Sequence, residues 1–507
     1  MKRKIIFGIS IVFVTVLSLG LMGVANAYGA LLERQVNYRY IDEALSLPQE
    51  TLNVIRWGDP VRPLVRQINE ADRRLLDRRI GDAWTNFALA QDTGDTEVLA
   101  DWFGGMALSR AKSAAQTAFE DGSRMVVLRM AARPSFYHLD GSILQLEVNA
   151  LTVRYLADKD GLSLFELGED HTVSTLVNRS TGWHVAAHER RDWDTHVRQD
   201  RVRPVPELLA GINYYPAATP WRLFWPNYDA SVTARDLDLI QSLGANAVRI
   251  FLPRENFLPA TSGLEARLGH LRDFLDQAAT RNLEVIATLF DLKGSYSTAT
   301  WTQDIRYLDT VLPVLRDAPA VALIDIKNEP DLDFKAQGRG HILAWLRSMA
   351  AVIREDAPDL ALTIGWSDAG VATELWDILD ALSYHDYAPI EGASKRLKDV
   401  QALARGLPVL VTEIGVSSWS LVGDHPSSPK AQDAALTDRM GKLASADGVF
   451  LWTLHDFPDP DQSAIGSSFW VRGLQSRFGL YDEAGQPKPA AATVAEAFKS
   501  FLKGIEK

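Results

Sequence analysis

The chain of 507 residues contains no cysteine. That absence excludes disulfides, thiolate metal sites, a cysteine nucleophile and a lipid-modified N-terminal cysteine. Positive charge is in deficit, with 53 Lys and Arg against 65 Asp and Glu and a net charge of −12. A chain that grips nucleic acid carries a basic face, so no nucleic-acid partner is expected. The acidity is uneven, with a net of −11 over 205–507 and −4 over 28–204. A polyanionic substrate of the second segment is therefore disfavoured. The sequence also lacks a P-loop, a GxGxxG turn and an HExxH helix. No ligand cluster has metal spacing, so neither a metal nor an organic cofactor is implied. Past residue 24 no apolar run is long enough to span a bilayer.

What is present starts with an export signal. Lys2, Arg3 and Lys4 precede an apolar run from Ile5 to about Val24, then Ala25-Asn26-Ala27. This pattern predicts a signal peptide cleaved before Tyr28, or an uncleaved signal anchor. Either way the remainder lies outside the cytoplasm: extracellular, at the cell surface or periplasmic. Membrane contact is expected only through that anchor. Hydrophobic residues make up 47% and charged residues 23%, enough for large cores. The length predicts one to three domains. No feature of the sequence dictates an oligomeric state.

Residues 28–203 read as an α+β domain. Helical periodicity covers Leu64 to about Gln91, and Glu97–Phe119 is a second predicted helix. Short β-rich runs follow at Met125–Met130, Ser135–Leu139, Ile143–Tyr155, Leu162–Leu167 and Trp183–His188. Asp140-Gly141 and Asp160-Gly161 mark hairpin turns. Helices followed by antiparallel strands suggest a sheet curled around helices. With its Gly182-Trp183-His184-Val185 ending, the segment resembles the cone-shaped nuclear transport factor 2-like fold. His138, His171, His184, His188 and His196 lack metal spacing and are expected in structural or surface roles. Arg201–Pro206 (RVRPVP) reads as a linker.

Residues 204–507 alternate strand and helix. Eight apolar runs are predicted as strands: Ile212–Tyr215, Ala247–Leu252, Val285–Phe290, Val321–Ile326, Leu362–Trp366, Leu382–His385, Val409–Ile414 and Val449–Leu454. Continuously apolar strands fit a parallel sheet covered on its outer side. Eight repeats match an α/β fold, the (β/α)8 TIM barrel, better than a doubly wound open sheet.

In such a barrel the chemistry sits at the C-terminal ends of the strands. The fourth run ends Lys327-Asn328-Glu329-Pro330, and the seventh contains Thr412-Glu413-Ile414-Gly415. A lone glutamate at a strand end is commonly a solvated rim residue. Two on strands that face one another across the mouth supply what glycoside hydrolysis needs, one proton donor and one carboxylate.

These motifs resemble those of the clan A glycoside hydrolases, family 5 above all. The likeness runs from about Gly211 to Phe498. It includes Asn246-Ala247-Val248-Arg249-Ile250, Tyr384-His385-Asp386-Tyr387, Leu451-Trp452-Thr453-Leu454-His455-Asp456-Phe457, and Arg477-Phe478-Gly479-Leu480-Tyr481 followed by Pro487-Lys488-Pro489. The resemblance implies Glu413 as nucleophile, with Arg249 and Tyr387 hydrogen-bonded to it. It implies Glu329 as acid/base, its pKa raised by Glu413 and burial. Asn328 would bond the sugar 2-hydroxyl, His385 would line the cleft, and Trp452 would be the sugar platform. Tyr214, Tyr215, Trp221, Trp225 and Trp366 are candidates for further platforms or for core packing. One departure stands out: Asp291-Leu292-Lys293-Gly294 carries no histidine just past the third strand, where many relatives have one.

The expectation is a retaining glycosidase acting on a β-linked glucan, mannan or exopolysaccharide. Retention requires the carboxyl groups ~5–5.5 Å apart. Two other readings use the same residues or the same fold: a transglycosylase, and a non-catalytic carbohydrate-binding or exopolysaccharide assembly protein.

Overall fold

Four long strands with alternating burial build the first segment. They are β2 (Ser123–Tyr137), β3 (Ile143–Ala157), β4 (Leu162–Arg179) and β5 (Gly182–Thr195), paired antiparallel in sequence order. A short β1 (Ile55–Trp57) adds in parallel to β2. The computed structural model describes residues 55–195 and 204–506, apart from positions 181 and 260. The export segment with its cleavage site, His196 and residues 201–203 of the linker lie outside the described residues.

The helix Glu70–Thr93 starts at a capping box between Asn69 and Asp72 and stops at left-handed Gly94. The second predicted helix is broken in two, a 3-10 turn Glu97–Asp101 and a helix Gly105–Asp121. Between them Trp102 and Gly104 hydrogen-bond the backbone of Val185, so β5 takes the chain out of the helix. Two further corrections concern the strands. The runs at 125–130 and 135–139 are one strand, and the last two runs extend well past their apolar cores. Ladder pairing holds these polar extensions, which hydrophobicity alone did not reveal.

The second segment is a closed barrel of eight parallel strands: β6 (Leu209–Asn213), β7 (Ala247–Pro253), β8 (Glu284–Asp291), β9 (Val321–Asn328), β10 (Ala361–Trp366), β11 (Leu382–His385), β12 (Val409–Ile414) and β15 (Gly448–Trp452). A small hairpin, β13 (Ser420–Val422) and β14 (His425–Pro426), interrupts the connection before β15. Nearly every strand residue is buried, because side chains fill the interior and helices cover the outside. Gly211 is part of that fit: a Cβ there would come 2.2 Å from the ring of Phe450.

Sheet and barrel share one hydrophobic core. Val126, Leu128, Val153 and Tyr155 of the sheet join the barrel cluster, while Met130, Leu144, Leu146 and Val148 pack beneath the sheet's own helix around Leu76 and Ile80. Opposite faces of the strands thus serve different cores. Polar contacts align the two segments. Arg129 of β2 pairs with Asp309, Glu355 and Asp356 on two barrel helices. Asp92 accepts hydrogen bonds from Ser297 Oγ and from the backbone N–H and hydroxyl of Thr298, in the loop after β8. No helix among the described residues is long and apolar enough to cross a membrane.

Candidate active site

The barrel register sets the site. Asn213 of β6 lies beside both Arg249 of β7 and Trp452 of β15, Asn328 beside Gly365, and His385 beside Glu413. Polar side chains at these heights emerge where the strands end. Glu329 follows β9 directly. Its backbone is left-handed (φ 48°, ψ 50°), and its N–H donates to the Gly365 carbonyl at 2.7 Å. This turn takes the carboxyl out of the strand and over the mouth.

Arg249 is fully buried and organises the centre. It donates to Glu413 Oε1 at 2.6 Å, Asn213 Oδ1 at 2.8 Å, Asn328 Oδ1 at 2.8 Å and Asp325 Oδ2 at 2.7 Å. Asp325 is also fully buried and accepts from Thr288 and from the Gly365 N–H. The two carboxylates compensate the buried guanidinium, which by itself would be very costly. Tyr387 donates to the other Glu413 oxygen, Oε2, at 3.0 Å. Both oxygens of Glu413 therefore accept from a donor, as the charge of a carboxylate requires.

His385 links the two glutamates. Its Nδ1 is 2.8 Å from Glu329 Oε1 and 3.7 Å from Glu413 Oε2. Burial pulls the imidazole pKa down, but the charge of Glu413 and the hydrogen bond and charge of Glu329 hold it above the ordinary histidine value. The expected rise for Glu329 is corrected here. Burial pushes its carboxyl up, yet the His385 hydrogen bond and charge, with Lys327 and Arg249, bring it below the ordinary glutamate value. The signal was present in the sequence as Tyr384-His385-Asp386-Tyr387, but the contact is tertiary.

A carboxylate oxygen of each glutamate and a nitrogen of His385 lie within 4.8 Å of one another. Three such groups can in principle hold a cation. Here the Arg249 guanidinium already occupies one side of Glu413 and repels a metal ion.

The predicted residues divide clearly. Glu329, Glu413, Arg249, Asn328, His385 and Tyr387 converge at the mouth. The oxygen of Asn328 is committed to Arg249, so its amide donor is the end available to a hydroxyl. Trp452 lies at the same level and is only 7% exposed, edge-on to Tyr215 and Phe251. Tyr215 and Trp366 are corrected: both are fully buried and offer no ring face to a ligand. Tyr215 stacks on Phe251 and donates to Asp291 at 3.0 Å, while Trp366 packs against Phe334. Tyr214, Trp221 and Trp225 belong to the same packed core. Adjacent rings fill the volume under the first barrel loop, where mutual contact outweighs exposure.

Where the histidine past the third strand is missing, Lys293 turns inward to Asp304 at 3.0 Å. Burial drops its pKa to about 8, opposed by Asp304. Burial also raises Asp291 to about 6, against the pull of Lys327 and Tyr215.

Asn213, Thr288, Asp325, Gly365 and Asp386 were missed in the sequence. A usable signal existed for most of them: a polar residue inside a continuously apolar strand must have a partner. Gly365 has a steric reason. A Cβ there would come 2.9 Å from Asp325 Oδ2, 3.0 Å from Arg249 Nη2 and 3.1 Å from His385 Nε2. Asp386 is clamped by Arg396 and Arg439, and its N–H donates to the Glu413 carbonyl at 2.9 Å. It fixes the exit of β11, and with it both neighbours, His385 and Tyr387.

No family model matches the chain. Among curated proteins, an endoglucanase, MaCel5A from Microbulbifer sp. (strain ALW1), is 24% identical over 233 residues, covering 43% of this chain and 42% of the relative. The chain thus spans about two fifths of the length of that relative. The match agrees with the glycoside hydrolase likeness of the barrel motifs. Similar solved structures include the exo-β-1,4-mannosidase Op5Man5 from Opitutaceae bacterium strain TAV5, with TM-score 0.49, 22% identity and coverage of 59% of this chain and 61% of that one. Another is a GH5_18 protein from Streptomyces cattleya in complex with GlcNAc, with TM-score 0.47, 22% identity and coverage of 59% and 81%.

Proposed function

We propose that the chain is a retaining O-glycosyl hydrolase of the family 5 type, acting on a β-linked glycan. The observation that carries this is the pair Glu329 and Glu413, with one oxygen of each within 4.8 Å of the other, Arg249 and Tyr387 on Glu413 and His385 on Glu329. Retaining enzymes hold their carboxyls ~5–5.5 Å apart, whereas inverting ones leave ~6.5–9.5 Å for a water. Oxygens this close leave little room for a water between the two carboxyls, which supports direct attack.

Glu413, with each oxygen hydrogen-bonded, attacks the anomeric carbon. The bond to the leaving oxygen breaks as that oxygen takes a proton from the Glu329–His385 pair. A covalent glycosyl-enzyme results. Glu329 then removes a proton from water, which displaces the sugar from Glu413 and returns the starting state. Asn328 meets the 2-hydroxyl with its amide donor, and Trp452 closes the subsite floor. The proposed substrate is a β-linked glucan, mannan or exopolysaccharide. The basic, apolar N-terminus supports action outside the cytoplasm, after cleavage or on an anchor.

A panel of β-glucans and β-mannans is the test, with wild type, Glu329→Gln and Glu413→Gln. Wild-type turnover lost in both variants, with a first-formed product of unchanged anomeric configuration by NMR, is the expected outcome. Equal turnover by all three proteins rejects the assignment. An inverted product rejects the mechanism.

A further inference from the structure

Three aromatic rings stand together at the catalytic end of the barrel, outside the site described above. Trp419 comes six residues after Glu413, in the connection that follows β12, and Phe469 and Trp470 come from the connection that follows β15. Their centroids are 5.5 to 5.8 Å apart, with interplanar angles of 74° to 90°. Phe469 is 61% exposed and Trp470 57%.

The cluster is built rather than incidental. The indole of Trp419 lies against Gly473 of the short helix Phe469–Gln475, where a Cβ would come 2.4 Å from the ring. Ser417 Oγ donates to the Leu474 carbonyl at 2.7 Å, and the Ser418 N–H donates to the Arg477 carbonyl at 2.9 Å. The buried Lys488 ammonium ties Ser418 to Asp456. The next residue, Phe478, meets the ring of Tyr387 edge-on at 6.3 Å, and Tyr387 holds Glu413. A continuous set of contacts therefore joins the aromatic cluster to the nucleophile.

Exposed aromatic rings held in place at the catalytic end of the barrel mark a contact surface. We infer that Trp470 and Phe469, backed by Trp419, form a remote sugar-binding platform that takes glycan units beyond those at Glu329 and Glu413. The inference rests on the proposed hydrolase reading and extends it, since it makes the substrate a chain longer than the cleaved pair of sugars. Position selects the occupant: both loops rise from the end of the barrel that carries the carboxylates. Rings set nearly at right angles offer separate faces to successive pyranose rings, rather than one flat apolar sheet.

The test uses the full chain and the variants Trp470→Ala, Phe469→Ala with Trp470→Ala, and Trp470→Tyr. Three readouts are compared: sedimentation with insoluble β-glucan and β-mannan, kinetics on the soluble forms, and hydrolysis of a small aryl β-glycoside. The double variant is expected to bind the polysaccharide roughly tenfold more weakly and to raise KM by a similar factor. Its kcat on the aryl glycoside stays at the wild-type value, and Trp470→Tyr restores most of the binding.

The outcomes separate the two claims. Hydrolysis of polymer by wild type with no effect of either alanine change overturns the platform and leaves the hydrolase reading intact. Trp470-dependent binding without any hydrolysis keeps the platform and rejects the hydrolase. Loss of polymer and aryl activity together shows a structural role and overturns the platform. So does wild-type binding to phosphatidylglycerol vesicles, but to no glycan, that is lost in Trp470→Ala.

Discussion

His385 Nδ1 lies 2.8 Å from Glu329 Oε1, so this carboxyl and a buried imidazole share a hydrogen bond across the barrel mouth. The two groups titrate as a pair, and their apparent values belong to both.

This relationship fixes a pH profile. The imidazole value is raised, so the last proton leaves the pair above the ordinary histidine value of ~6.5. The alkaline limb of kcat/KM is expected above that pH. His385→Asn leaves Glu329 to hold the proton as a lone carboxyl, and the limb moves to lower pH. A limb that stays in place in this variant rejects the shared proton. The stability term has the matching sign. The raised imidazole value contributes fully below pH ~6.5, and its contribution is lost as pH climbs through the folded value.

Asp325 is the hidden counter-charge. Asp325→Ala leaves Arg249 buried with Glu413 as its remaining carboxylate partner. Breaking a buried pair costs about 3–5 kcal/mol. Urea unfolding should show a loss of that size. The kcat should fall as well, because Arg249 then has fewer contacts to orient it against Glu413. Unchanged stability and kcat together exclude this role.

Gly365 is a steric constraint on the site. An added Cβ would meet Asp325, Arg249 and His385 at 2.9 to 3.1 Å. Gly365→Ala is expected to cost about 1–3 kcal/mol, as overpacking does, and to lower kcat by shifting His385 and Arg249. Wild-type kinetics in a folded Gly365→Ala protein contradict the tight fit.

Gly340 joins sheet to barrel. Its N–H donates to the Asp158 carbonyl, and an added Cβ would come 1.9 Å from the Gly161 carbonyl oxygen. Gly340→Ala must therefore move the hairpin at 158–161 away from the helix Arg339–Asp356. Faster limited proteolysis at that hairpin, with aryl-glycoside activity largely kept, is the expected result. Unaltered cleavage kinetics contradict the docking.

Apolar periodicity was sufficient for the barrel, since eight buried runs needed only their order to be read. Leu382–His385 and Val409–Ile414 match the observed strands to the residue. The glutamates were legible for the same reason: each interrupts or ends an apolar strand, where a charge must serve a purpose. The front sheet was less legible, because the strand ends at 168–179 and 189–195 carry many polar residues, among them the buried Asp170, Thr172 and Ser174, and ladder hydrogen bonds hold them with no apolar run to mark them. Sugar platforms at Tyr215 and Trp366 were misplaced, because an aromatic residue reads the same in sequence whether its face is covered or open.

The sequence by itself placed Glu329 and Glu413 at strand ends of the barrel mouth, and the resemblance of its motifs to a known family added Arg249. Tertiary structure alone decided their electrical state and their company. It brought His385 onto Glu329 and Asp325 behind Arg249, and it left Trp470 open while burying Trp366. Distances between strands across a closed barrel set these outcomes, and such distances depend on register and packing rather than on any local run of residues.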